Sequence, residues 1–352
     1  MHALLGFINR TCNVAIPILI ALLLALILPV AVFAQPDGPP SALDPASPVS
    51  TEIANLHNLV LIIAVVIFVL VEGLLLLSAL RFRRNPQVTV EPPQVHGNTR
   101  LEIAWTVAPA LVVVALFVLT VRAQQSIDAS AQAVDGSTPI TVEVEGHQWW
   151  WEFRYPDLGI TTANEMVIPV GRTMNLQVSS VDVIHSFWVP ELGGKTDAIP
   201  TLTNRTWLRA DAPGEYYGQC AELCGVSHAY MRLVVRAVPQ AEFDAWAQGQ
   251  AQNAIEPTDP AIQAGRDVFA NGPCVGCHVI RGIPQAVGQT GPDLTHFAGR
   301  PYIGAGILGH TPYNLARWLA DPPGVKPGSL MPNLNLSRQD IDALVAYLES
   351  LK

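Results

Sequence analysis

A membrane-spanning helical hairpin, an all-β domain and an all-α C-terminal unit, joined in that order, is the fold class this sequence predicts. Three observations predict it. Two apolar runs, residues 57–80 and 103–121, approach or exceed the ~20 residues that a helix needs to cross ~30 Å of hydrocarbon. From residue 138 the hydrophobic pattern switches to period two, as in strands with one buried face. The last ~90 residues lose that alternation and end in a stretch with helical spacing.

Half of the 352 residues are hydrophobic and only 14% are charged, which agrees with membrane segments. The formal net charge is -9 and no cluster of Lys and Arg is present, so nucleic acid is excluded as a partner.

The earliest apolar run, residues 14–32, follows Arg10 and ends at Val32-Phe33-Ala34 before a Pro-rich polar segment. Residues 1–34 therefore read as an export signal, with which Cys12 would be lost; a retained membrane helix is the other reading, although Pro17 and Pro29 interrupt the run. Residues 50–123 form the predicted hairpin. Its short inner loop carries Arg81, Arg83, Arg84 and Arg100, and an excess of Arg in a short loop marks the cytoplasmic side. Everything after Arg122 is thereby placed on the outer, periplasmic face of the cell (inner) membrane, where thiols are seldom left free. Glu102, at the edge of the second span, reads equally as an interfacial or a functional carboxylate. Glu72 falls inside the first span and must face protein rather than lipid.

Residues 138–238 read as one all-β domain. Ile140, Val142 and Val144 alternate with polar residues, and β-rich pieces recur at 166–170, 176–181 and 233–238. Turn signals at Tyr155-Pro156-Asp157, Val170-Gly171 and Ala212-Pro213-Gly214 follow at short intervals and favour a sandwich or small barrel over βαβ units. Within this domain, residues 219–231 read Q-C-A-E-L-C-G-V-S-H-A-Y-M. Cys220, Cys224, His228 and Met231, with His185 from D-V-I-H-S-F-W, are soft donors and imidazoles of the kind that select copper, and they suffice for two metal ions. A Cys220–Cys224 disulfide, a zinc site or two buried thiols are competing readings. The disulfide gives His185, His228 and Met231 no role, and zinc makes no particular use of a thioether. Upstream, Trp149, Trp150 and Trp151 cannot all face one core, because side chains alternate along a strand. At least one is expected to be exposed as a docking surface, with aromatic packing left to Trp150 or Trp151 and to His147.

Residues 239–260 open with a short helical stretch and become polar with two prolines, which reads as a linker. In the remaining unit, residues 261–352, Cys274-Val275-Gly276-Cys277-His278 is a C-x-x-C-H sequence: two thiols can form thioethers with haem while the next His reaches the iron. A redox-active C-x-x-C is the alternative, but it wants a βαβ context that this tail lacks. Met331 in G-S-L-M-P-N has the chemistry of the sixth iron ligand. His296 and His310 are rivals without a supporting pattern and read as surface or haem-edge residues. The last helix starts at Ser337, with Asp340 completing a variant of the capping box.

On these residues the chain resembles subunit II of the cytochrome c oxidases over about residues 50–245. The resemblance is carried by N-T-R-L-E-I-A-W-T-V-A-P-A, G-H-Q-W-W-W-E-F, D-V-I-H-S-F-W-V-P, K-T-D-A-I-P and Y-G-Q-C-A-E-L-C-G-V-S-H-A-Y-M. The tail resembles a class I cytochrome c domain, and the whole resembles a caa-type terminal oxidase subunit. The resemblance implies a cupredoxin-like domain holding the binuclear copper centre CuA. There Cys220 and Cys224 would bridge both coppers, His185 and His228 would bind one copper each, and Met231 and the Glu222 carbonyl would be weak outer ligands. It implies further that Trp149 receives electrons from a cytochrome c and that the Glu222 carboxylate helps to bind magnesium at the contact with subunit I. Lys195 and Asp197 would line that contact, a solvated salt bridge being an equal reading, and Glu102 would sit at the mouth of a proton-uptake pathway. For the tail it implies covalent haem c with His278 and Met331 on the iron, and Pro292 in Gly291-Pro292-Asp293-Leu294 orienting His278 through its carbonyl.

The function expected is that of an electron-input subunit. Electrons would pass from an external cytochrome c or other periplasmic carrier to haem c, then to CuA, then to haem in subunit I, where oxygen is reduced to water and protons are translocated; no catalytic residue lies on this chain. The equivalent subunit of a haem-copper nitric oxide reductase would look much alike. A membrane-tethered shuttle or copper-delivery protein is a third reading, against which Glu102, K-T-D-A-I-P and Glu222 speak as residues of a docked subunit.

Overall fold

The computed structural model describes residues 40–83, 94, 96–132 and 138–352. The signal reading of residues 1–34, with Cys12, lies outside the described residues, as does Arg84.

Two helices of 34 residues each, α1 (Pro48–Arg81) and α2 (Thr99–Gln132), make the hairpin. At ~1.5 Å per residue such a helix outruns a ~30 Å hydrocarbon layer, so the outer turns project from it. The projecting end of α1 is held by the β domain. Ser47 caps the helix by accepting from the Ser50 N–H, while its own hydroxyl donates to the Leu192 carbonyl at 2.7 Å. Ala46 N–H also donates to the Glu191 carbonyl at 2.9 Å. Ser126 of α2 donates to Glu52 of α1 at 2.7 Å, tying the two outer ends together.

The β domain has ten strands: β1 (Ile140–His147), β2 (Trp150–Tyr155), β3 (Ile160–Ala163), β4 (Glu165–Pro169), β5 (Met174–Ser180), β6 (His185–Trp188), β7 (Thr196–Ala198), β8 (Asn204–Leu208), β9 (Gly214–Cys220) and β10 (Arg232–Val238). They form two five-stranded sheets, in the orders β3-β2-β1-β5-β8 and β4-β10-β9-β6-β7. Alternation places Ile140, Val142 and Val144 of β1 inward, and the sheets enclose Trp151, Phe153, Met166, Leu176, Phe187 and Leu233 in one core. Tyr155, buried in the first sheet, donates its hydroxyl to the Val167 carbonyl of the second at 2.8 Å.

The stretch read as a linker is divided by the structure. Its helix α3 (Gln240–Gln250) docks on the sandwich, because Phe243 belongs to the β core and Trp246 packs edge-on against Tyr155 at 5.5 Å. Only the polar segment after it connects the domains.

The C-terminal unit is built from α4 (Pro260–Asn271), α5 (Pro312–Ala320), the short α6 (Pro322–Val325) and α7 (Arg338–Leu348), with one two-stranded ribbon among them. Phe269, Leu294, Leu315, Leu344 and Tyr347 form its core. Ser337 caps α7 by accepting from the Asp340 N–H, the bond its sequence predicts. This is the three-part architecture expected from the sequence.

A seam joins the C-terminal unit to the sandwich. Arg232 N–H donates to the Ala305 carbonyl at 3.0 Å, the Tyr217 and Tyr302 hydroxyls meet at 2.7 Å, and the Ser227 hydroxyl donates to the Pro327 carbonyl. Gly328, at φ +84, lies against the Trp149 ring, which an added Cβ would approach to 3.2 Å.

Candidate functional site

Strands β6 and β9 lie side by side and carry His185 and Cys220 at neighbouring ends. The chain then loops through Cys224 and a 3₁₀ turn that begins at His228, and Met231 returns to the sheet by accepting from the Cys220 N–H at 2.9 Å. The result is a paired donor set. Cys220 Sγ lies 3.9 Å from His185 Nδ1 and 3.2 Å from the Glu222 carbonyl, while Cys224 Sγ lies 3.6 Å from His228 Nδ1 and 3.9 Å from Met231 Sδ. The two sulfurs are 3.7 Å apart, well beyond the ~2.05 Å of a disulfide, and both cysteines are free. Each sulfur thus has one imidazole and one weak donor beside it. A single tetrahedral zinc ion would leave part of this set unused.

Protonation follows the geometry. The hydrogen-bonded contact between the two sulfurs lowers the Cys220 thiol and raises the Cys224 thiol. Burial acts to lower His185, but its bonds to Cys220 and Asp182 outweigh that and raise it. Asp182, which sequence reasoning missed, accepts from His185 Nε2 at 2.8 Å and so turns Nδ1 towards Cys220. The only sequence signal for it was its place three residues before the His.

Trp149 corrects an expectation. It is 8% exposed rather than a free docking surface, because Gly328 and its loop cover it from the C-terminal unit. Trp151 is buried in the sandwich, and Trp150 stacks on His147 at 4.1 Å. The indole N–H of Trp149 donates to the Cys224 carbonyl at 3.0 Å. Trp149 also lines a cavity of about 270 Å³ whose walls include Cys274, Cys277, His278 and Met331.

The donors in that wall, two thiols, an imidazole and a thioether, suit a haem tethered at C-x-x-C-H. His278 Nδ1 donates to the Pro292 carbonyl at 2.9 Å, which leaves Nε2 as the free ligand atom. Burial lowers the His278 pKa and keeps the ring neutral, as a metal ligand must be. The rival His296 is not a surface residue as expected: it is buried, with its ring nitrogens 2.8 Å and 3.0 Å from the carbonyls of Lys352 and Gln252. His310 Nδ1 bonds the Arg300 carbonyl at 2.6 Å. Neither lines the cavity.

The remaining candidates lie apart. Glu222 turns its carbonyl to Cys220 Sγ, and the residue is exposed, as is Leu223 beside it at 78%. Lys195 and Asp197 are exposed and make no ion pair among the described residues. Glu102 accepts from the Asn98 N–H at 3.2 Å at the start of α2, and Glu72 is exposed on α1.

Comparison with known proteins agrees with this division. Residues 41–122 match the family "Cytochrome C oxidase subunit II, transmembrane domain", residues 158–238 match "Cytochrome C oxidase subunit II, periplasmic domain", and residues 262–352 match "Cytochrome c". A protein of Alkalihalophilus pseudofirmus named cytochrome c oxidase subunit 2 is 40% identical over 314 residues, covering 89% of this chain and 91% of its own. One from a Bacillus species with the same name is 41% identical over 286 residues, covering 77% and 79%. Another, from Bacillus subtilis, is 32% identical over 330 residues, covering 89% and 92%.

Proposed function

The chain belongs to the cytochrome c oxidase subunit II family and carries a cytochrome c domain behind the family's own two, and from that premise we propose an electron path along its residues. It is the electron-input subunit of a membrane-bound terminal oxidase, with its copper and haem domains outside, and it delivers electrons to subunit I, where oxygen is reduced. The nitric oxide reductase reading is not favoured, since the relatives are named as oxidase subunits.

In our reading, Cys220, Cys224, His185, His228, Met231 and the Glu222 carbonyl would together hold two copper ions as a CuA centre. The paired donors around the two sulfurs support it. Cys274 and Cys277 would attach haem c, and His278 and Met331 would hold its iron; when bound, both groups would supply one-electron redox chemistry. The protein's share is to fix positions and exclude water. Asp182 orients His185, Pro292 orients His278, and the burial of Cys220 and Cys224 keeps water from the copper site.

Trp149 carries the proposal. Its indole N–H is hydrogen-bonded to the carbonyl of a sulfur ligand, and the residue also lines the cavity assigned to haem, so it connects the two sites within one chain. Because it is covered, an external cytochrome c or other carrier reduces the C-terminal domain first. Glu222 is assigned a magnesium ion at the subunit I contact, since Mg²⁺ takes few carboxylates plus water. Lys195 and Asp197 are assigned to the same contact, and Glu102 to the mouth of a proton-uptake path. In the assembled oxidase, Trp149→Phe should slow electron transfer from haem c to copper by about tenfold, about 1.4 kcal/mol of barrier. An unchanged rate, with copper and haem content intact, would refute the path.

A further inference from the structure

Lys326 has no place in the roles above, yet it is a buried cation at the seam. It is 4% exposed, and its ammonium donates to the Trp149 carbonyl at 2.5 Å and the Gly304 carbonyl at 3.3 Å. No Asp or Glu forms an ion pair with it among the described residues. Two carbonyls do not neutralise a buried cation, and such a charge is destabilising unless it meets an anion. Burial accordingly pushes the Lys326 pKa down to about 7, opposed only by the Cys224 sulfur.

The missing anion has a location. Lys326 lines the cavity beside Cys274, Cys277, His278 and Met331, and Arg300 is the other cation in its wall. Arg300 donates to the Asp293 backbone carbonyl, and its guanidinium stands 6.0 Å from the Phe297 ring centre, without an ion pair to a carboxylate among the described residues. Among the described residues, no Asp or Glu lines the cavity. Two cations facing one cavity without an anion describe a receptor for a dianion. A haem held by two thioethers on its vinyl edge presents two propionates on the opposite edge, and it is such a dianion.

We propose that Lys326 is a haem-binding residue whose ammonium pairs with a propionate while hydrogen-bonding the Trp149 carbonyl, turning the carboxylate edge of the haem towards the copper domain. Thioether and propionate edges then have separate tasks. The edge at exposed Cys277 meets the donor, and the edge at Lys326 meets Trp149. This rests on the assignment of Cys274 to His278 as the haem attachment site, which has its own check: haem that stays with the chain after denaturation.

The test uses Lys326→Gln and Lys326→Arg in the assembled oxidase. Gln keeps an N–H for the Trp149 carbonyl and removes the charge, so a purely structural role predicts wild-type behaviour. The proposal predicts that the haem c midpoint potential shifts downward in Lys326→Gln, because the lost cation favours the oxidised state, and returns towards wild type in Lys326→Arg. The near-infrared copper absorption stays unchanged. A wild-type potential in Lys326→Gln, with haem covalently attached, overturns it. If Lys326→Gln does not assemble, the infrared difference spectrum of the wild-type haem on reduction decides. An ionised propionate band that moves between wild type and Lys326→Arg supports the pairing, and one that does not move overturns it.

Discussion

Asp182 shows how much a single side chain outside the ligand set can decide. It fixes the His185 ring from behind, at 2.8 Å, and leaves Nδ1 as the atom that faces Cys220. Partners of this kind are worth about 10–100-fold in metal affinity, so Asp182→Asn should weaken copper binding by that factor in a chelator competition. Proton linkage gives a second outcome. His185 and Cys224 hold their protons to higher pH than free side chains do, so copper must displace those protons and its apparent affinity rises as pH rises, a trend a titration at several pH values would show. Met231 is the opposite case, a weak and fully buried donor 3.9 Å from Cys224 Sγ. Met231→Leu should keep the copper bound and cost less than about 1.5 kcal/mol of stability while shifting the copper potential, which a redox titration reads directly. The donors were legible in the sequence because they fall within a dozen residues of one another or in a matching strand. Lys326 and the burial of Trp149 were not, because the partners are 177 residues apart in the chain and a lone lysine carries no pattern.

At the level of elements, periodicity was informative where elements are long or strictly alternating. The two spans, β1 and the capped α7 were readable for that reason. Strands β6 and β7, of 4 and 3 residues, are too short to show a period, and their place is set by pairing with β9 and with each other. Helix α3 is the short helical stretch expected at the start of residues 239–260, and two aromatic residues, Phe243 and Trp246, anchor it on the sandwich. The crossing of α4 and α7 depends on Gly265, where an added Cβ would run into the Ala343 carbonyl and Tyr347 Cβ. Gly265→Ala should therefore destabilise the haem domain by about 1–3 kcal/mol, through overpacking of a crossing that cannot spread, and thermal denaturation of the intact chain would show the loss.

The whole molecule is a set of domains stitched at both ends of the sandwich. Ser47 and Ala46 tie the hairpin to one end, and Ser227, Lys326 and Arg232 tie the haem domain to the other. The exposed apolar flanks of α1 and α2, together with exposed Glu72, suit helices that meet lipid and subunit I rather than their own domains. On the proposed path, the covering of Trp149 makes the haem domain an obligatory step, and this is the central claim. Rapid mixing of the assembled oxidase with a reduced cytochrome c tests it most directly. Haem c should be reduced first and the near-infrared copper band should follow, with copper reduction lost in a Cys277→Ala chain that no longer retains haem. Copper reduced ahead of haem c, or at an unchanged rate without it, would contradict the account.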